Sequence, residues 1–113
     1  MPKPEMEFSP TADVPWQPAA GGPPGVEEKV LSRDPTTGDL TRLVRFPKGF
    51  RGDEVLRHEF WEEVLILEGG FHDLTLGRTF GPMSYACRPP GMRHGPYCCP
   101  VGCLAFETRT TPK

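Results

Sequence analysis

His58-Glu-Phe-Trp-Glu62-Glu63-Val-Leu-Ile-Leu-Glu68-Gly69-Gly70, read with Pro89-Pro90-Gly91-Met92-Arg93-His94, decides the fold of this chain. In the first stretch a His and a Glu four positions apart precede the apolar run Val64 to Leu67, which a Gly-Gly turn ends. Such a run, bounded by turn residues, reads as a strand buried on both faces. In the second stretch a rigid Pro-Pro-Gly turn aims another His. Imidazole and carboxylate are ligands for borderline divalent metals, and here separate strands would supply them.

Working outward, short apolar stretches alternate with turn signals. Phe71 to Leu76 reads as the return strand of a hairpin, Gly77 to Met83 as a loop, Ser84 to Arg88 as a short strand and Gly102 to Arg109 as the last strand. Upstream, Val26 to Ser32, Leu40 to Phe46 and Glu54 to His58 are strand candidates, with a turn cluster at 34–39 and a Gly-rich loop at 47–53. In the second of these, Leu40, Arg42, Val44 and Phe46 alternate against Thr41, Leu43 and Arg45. No stretch has helical periodicity, so the expectation is an all-β sandwich or barrel. Residues 1–25 are rich in Pro, Gly and Ala and form an extended arm docked near Trp16, leaving 26–113 as the β-domain. The expected core is Leu31, Leu43, Val44, Phe46, Val64, Leu65, Ile66, Leu67, Phe71, Leu74, Leu104 and Phe106, with Trp61 near the mouth.

Composition narrows the function. The 113 residues suffice for one domain and carry a net charge of -2, which argues against nucleic-acid binding through a basic face. No apolar run approaches the roughly 18 residues of a membrane span. The N-terminus lacks a signal-peptide core, which places the chain in the cytoplasm with its cysteines reduced. Cys87 and Cys103 read as small strand residues, and Cys98 and Cys99 as loop thiols.

The two opening stretches resemble the two motifs of cupins, the second through its P-x-G-x-x-H core at Pro89, Gly91 and His94. The wider pattern is similar to single-domain cupins of the ChrR and acetylacetone-dioxygenase type. It comprises Trp16, Gly25 to Leu31, Asp34 to Gly38, Leu43-Val-Arg45, Glu62 to Gly69 and Gly102-Cys103, and covers roughly residues 14 to 109. The resemblance implies a double-stranded β-helix, or jelly-roll barrel, often dimeric. It also implies a metal inside the barrel on two His of an H-x-H, a Glu and the His of the second motif. In the register that keeps most of the pattern, Glu62 is the motif Glu and His58 the second His, and Leu56 stands where the first would be.

The remaining set, His58, Glu62 and His94, matches the two-His-one-carboxylate pattern that holds Fe(II) or Zn²⁺ with open positions. The divalent ion could be Fe, Zn, Mn, Ni or Cu. A fourth ligand could come from His72, otherwise an exposed hairpin residue, or from Cys98, otherwise a loop thiol. Tyr85 and Tyr97 could offer phenols to a pocket. An inward Arg45 would recognise a carboxylate or phosphate, whereas an outward one is a solvated charge. Arg57 and Arg93 read as solvated charges.

Three readings follow. One is a metal-dependent oxygenase acting on a small dicarbonyl or hydroxy-ketone. The second is a metal or ligand sensor like the anti-sigma cupins. The third is a metal-free jelly roll. A homodimer covering the sheet edges is expected, with a small molecule as the other partner.

Overall fold

The computed structural model describes residues 2–113. Ten strands follow a 3-10 turn at Thr11–Asp13: β1 Gln17–Pro18, β2 Glu27–Arg33, β3 Leu40–Phe46, β4 Phe50–Arg51, β5 Trp61–Gly69, β6 Phe71–Asp73, β7 Arg78–Phe80, β8 Tyr85–Arg88, β9 Tyr97–Cys99 and β10 Cys103–Thr110. They form two antiparallel sheets, ordered β1-β2-β3-β10-β5-β8 and β4-β9-β6-β7. The jelly-roll expectation holds.

Turns at glycine set the hand-over between sheets. A Cβ on Gly69 would lie 2.1 Å from the Gly102 carbonyl oxygen, and the residue has φ +72°. Only glycine permits both that approach and that backbone. The chain therefore leaves β5 and crosses into β6 of the second sheet, which pairs with β7 and β9, so the hairpin return expected at Phe71 to Leu76 is not formed.

The core lies between the sheets: Val26, Val44, Val64, Ile66, Phe71, Cys99, Cys103 and Ala105, joined by Ala19 from beyond β1. Phe46 packs edge-on against Phe50 and Phe71, at centroid distances of 5.1 and 4.9 Å. The second half of the proline-rich arm is thus built into the barrel. The rest crosses the outer face of β2 and β3. Lys29 Nζ donates to the Thr11 carbonyl at 2.9 Å, and the Arg45 guanidinium sits 4.1 Å from the Trp16 ring centroid.

The expected core needs correction. Val64 and Ile66 point inward, but Leu65 and Leu67 face out, because β5 alternates like any strand with one solvent-facing side. The cross-strand register aligns Leu43, Phe106, Leu65 and Tyr85 into one outer row. Leu31, Leu74 and Leu104 are only half-buried. Inner positions of the same strands hold charges instead: Arg42, Glu62 and Glu107 are all buried.

Three strands sit where loops were expected: β4, β7 and β9. Tyr97-Cys98-Cys99 lies between Pro96 and Pro100 and reads locally as loop, yet pairs with β4 and β6 from distant sequence. Tertiary pairing overrides local propensity there. Conversely, Glu54 to His58 makes only the isolated antiparallel bridge Leu56↔His94. Its neighbour, 89–96, carries three prolines, which cannot donate to a ladder.

Candidate metal centre

The barrel interior is divided into two chambers. Both are lined by Val64, Phe71, Arg88, His94 and Tyr97. One, of about 790 Å³, adds Arg42, Leu56, His58, Glu62, Glu107 and Arg109. The other, of about 710 Å³, adds mainly apolar groups such as Ile66, Phe80, Ala86 and Met92. Alternation along the bridged segment explains the partition. Leu56 and His58 line the charged chamber, whereas Val55 and Arg57 line the apolar one.

In the charged chamber His58, Glu62 and His94 each bring a ligand atom within 4.8 Å of the others. β5 supplies Glu62 at an inward position. The 54–58 segment supplies His58, and the Pro-Pro-Gly turn delivers His94 against Leu56 through backbone hydrogen bonds of 2.7 and 3.0 Å. The His rings lie 5.1 Å apart, centroid to centroid, and Phe60 stacks on His58 at 4.7 Å.

An ion-pair network backs this cluster. Arg88 Nη1 donates to Glu62 Oε1 at 2.7 Å, and its Nη2 donates to the Tyr97 hydroxyl at 2.5 Å. Arg42 donates to Glu28 at 2.7 Å and to Glu107 at 2.9 Å. Arg109 donates to Glu107 at 3.0 Å and lies 3.8 Å from Glu62 Oε2. Three guanidiniums thus face three carboxylates, satisfying charges that would be costly alone. Burial, and after it the negative charge of Glu62, raises the Glu107 carboxyl above its ordinary range.

His94 is the exception. Its Nδ1 lies 3.4 Å from the Tyr97 hydroxyl, but its buried Nε2 has no hydrogen-bond partner among the described residues. Burial, then the Arg88 and His58 charges, lowers its pKa from 6.5 to about 4. The ring is therefore neutral at pH 7, the form that binds metal. Glu62 is also divided usefully. Oε1 is taken by Arg88, while Oε2 faces His58 Nε2 at 3.7 Å. A neutral, unpartnered imidazole nitrogen beside a turned carboxylate oxygen and a second imidazole fits a divalent ion. The absence of a fourth donor would leave positions open for another ligand.

The other sequence candidates lie elsewhere. His72 and Cys98 are paired across β6 and β9. Both alternate out of phase with the inward Phe71, Asp73, Tyr97 and Cys99, so they stand on the outer face of the small sheet, where His72 Nδ1 lies 2.9 Å from Thr79 Oγ1. Neither joins the cluster. Arg45 is outward, paired with Glu27 at 2.8 Å. Tyr85 is exposed and its hydroxyl donates to Glu63, although it also borders the apolar chamber. Tyr97 lies at the site. Sequence reasoning missed Glu28, Arg42, Arg88, Glu107 and Arg109 as site-forming residues. The alternation that groups Arg42 with Val44 and Phe46 was the available signal.

No curated protein sequence matches the chain. Solved structures do. An RmlC-like cupin from Shewanella frigidimarina has 23% identity and TM-score 0.75, the match covering 100% of this chain and 96% of that one. An acetylacetone dioxygenase from Acinetobacter johnsonii has 21% identity and TM-score 0.71, over 95% of this chain and 74% of that one. The Rhodobacter sphaeroides complex of SigE with the anti-sigma ChrR has 26% identity and TM-score 0.63, over 86% of this chain and 50% of that one. The model of the ChrR cupin-like domain matches residues 4–111. With the two-sheet barrel and the motif residues gathered at its centre, that match gives the conclusion that this chain belongs to the ChrR cupin-like family.

Proposed function

We propose that this chain is a metal-binding small-molecule cupin, in which His58, Glu62 and His94 hold one divalent ion of Fe, Zn, Mn, Ni or Cu. The observation that carries this reading is the buried, unpartnered Nε2 of His94 within the three-residue cluster. Such an ion supplies Lewis acidity or, as iron, oxidation chemistry. The chain's own residues do the rest. His94 presents a neutral nitrogen. Arg88 fixes Glu62 through one oxygen and leaves the other turned toward His58, with Arg109 3.8 Å away. Val64 and Phe71 stand between the site and the apolar chamber.

The finer reading is an oxygenase acting on a small dicarbonyl or hydroxy-ketone, supported by the likeness to acetylacetone dioxygenase. Its test is oxygen uptake by iron-loaded protein offered simple 1,3-diketones, with an exposed-site variant, His72→Ala, as active control. Uptake that needs both iron and diketone and is lost in His94→Ala supports it. Absence of uptake in protein that demonstrably holds iron removes it. Leu56 lines the same chamber, so Leu56→His is expected to restore a fourth ligand and tighten metal binding.

A second reading, a metal or ligand sensor, is favoured by Arg88, which touches Glu62 and also lines the apolar chamber. Occupancy of either chamber would be felt in the other. A homodimer belongs to both readings. The edge strands are only two to four residues long, so the better support is the outer row of Leu43, Phe106, Leu65 and Tyr85. Light scattering should give twice the 12.6 kDa chain mass, and Phe106→Asp should give the monomer. Four free cysteines accord with a cytoplasmic location. No helix among the described residues is long and apolar enough to cross a membrane.

A further inference from the structure

The apolar chamber carries charges that its surroundings do not explain. The antiparallel bridge Leu56↔His94, carried one residue further, places Arg57 opposite Arg93. Both side chains line the apolar chamber. Like charges directly opposed on neighbouring chains repel. Arg57 has one weak partner, Glu59 at 4.0 Å, with both side chains largely exposed. Arg93 pairs with no carboxylate among the described residues. The chamber's one acidic side chain, Asp73, is already engaged, its Oδ1 accepting the backbone N–H groups of Thr75 and Leu76 at 2.9 and 3.0 Å. At the inner wall Arg88 adds a third guanidinium. Its contacts to Glu62 and Tyr97 use two of its five donors. Behind these cations lies an apolar wall of Ile66, Phe80, Ala86 and Met92, and the volume of about 710 Å³ is that of an organic-ligand site.

We propose that the apolar chamber binds an organic anion, a carboxylate carried on an apolar body. Arg57 and Arg93 clamp its head group at the mouth and the hydrocarbon fills the space behind. Paired guanidiniums match carboxylate geometry in fork fashion, and the ligand's charge would relieve their mutual repulsion. Arg88, reached by a longer or second acidic group, would connect that ligand to Glu62. The proposal rests on the small-molecule reading above, but not on the metal.

The test is calorimetry on the chelator-treated 113-residue chain with three probes of one shape: 4-phenylbutyrate, 4-phenylbutanol and 4-phenylbutylamine. The carboxylate should bind about tenfold or more tighter than the alcohol, and the amine more weakly than either. Added salt should weaken the carboxylate only. In the double variant Arg57→Gln, Arg93→Gln, which touches exposed side chains, carboxylate affinity should fall to that of the alcohol while the thermal midpoint stays or rises. Equal binding of acid and alcohol would overturn the proposal. So would preference for the amine, no binding by any probe at about 5 mM, or an unchanged preference in the double variant. Repeating the titration after loading Zn²⁺ separates the two claims. A carboxylate preference in protein that never takes up metal leaves this inference standing and removes the metal reading. Metal uptake without the preference does the reverse.

Discussion

The two chambers share a wall but handle charge in opposite ways. In the charged chamber the guanidiniums of Arg42, Arg88 and Arg109 each have a carboxylate partner, and the buried group left without one is a neutral imidazole nitrogen. In the apolar chamber the cations at the mouth have almost no partners, and the one carboxylate is held by backbone. Paired buried charge fixes geometry: Arg88 orients Glu62, and Arg42 and Arg109 hold Glu107. Unpaired charge beside apolar surface is left for a ligand to complete. Fold and candidate chemistry therefore divide along Val64, Phe71, Arg88, His94 and Tyr97.

The strongest way to break this comparison is Arg42→Met. It would leave Glu28 and Glu107 buried without their main partner, and a urea unfolding curve should show a loss of about 3–5 kcal/mol. A loss below about 1 kcal/mol would mean that the network is hydrated and not structural. On the apolar side, Ile66→Ala should cost about 2–4 kcal/mol, and it should leave metal affinity unchanged because Ile66 borders only that chamber. Arg88→Met probes the shared wall. Freed of its orienting contact, Glu62 should hold metal about 10–100-fold more weakly, measured by competition with a chromophoric chelator. A tighter site would show instead that Arg88 competes with the ion.

The smallest effect concerns pH. His94 has a folded pKa of about 4 against 6.5 when unperturbed. Between those values the unfolded chain binds a proton that the fold refuses. Stability from this residue is therefore complete above about 6.5 and is lost as pH falls toward about 4. Glu107, raised by burial, works in the opposite sense. Comparing the chain with His94→Gln, the unfolding midpoint of the former should fall more steeply across that window. Parallel curves would show that the His94 ring is not desolvated as the structure places it.

Much of this was legible before the structure. Alternation and turn residues fix β3 to Leu40–Phe46 as expected, but the hairpin expected across Gly69-Gly70 is not formed, because β6 pairs with β7 and β9 in the second sheet and not with β5. His58, Glu62 and His94 do converge, because motif spacing encodes which strand ends meet. What stayed hidden is the direction of side chains. Leu65, Leu67 and Phe106 are apolar and were expected inside, while Arg42 and Glu107 are charged and lie inside. Hydrophobicity alone gives the wrong face when inner positions are used for a paired network and outer ones for an apolar row. β9 was equally hidden, since its strand character comes from partners more than twenty residues away and not from its proline-flanked sequence. His72 and Cys98 could not be placed for the same reason: one residue of register decides the face.

The most direct test of the metal centre is elemental mass spectrometry on tag-free protein purified without chelator, beside His58→Ala, His94→Ala and His72→Ala. About one divalent ion per chain is expected in the unaltered protein and in His72→Ala, and none in the other two. Protein that stays metal-free after incubation with each of Fe, Zn, Mn, Ni and Cu would contradict it, as would a His94→Ala variant that keeps its ion.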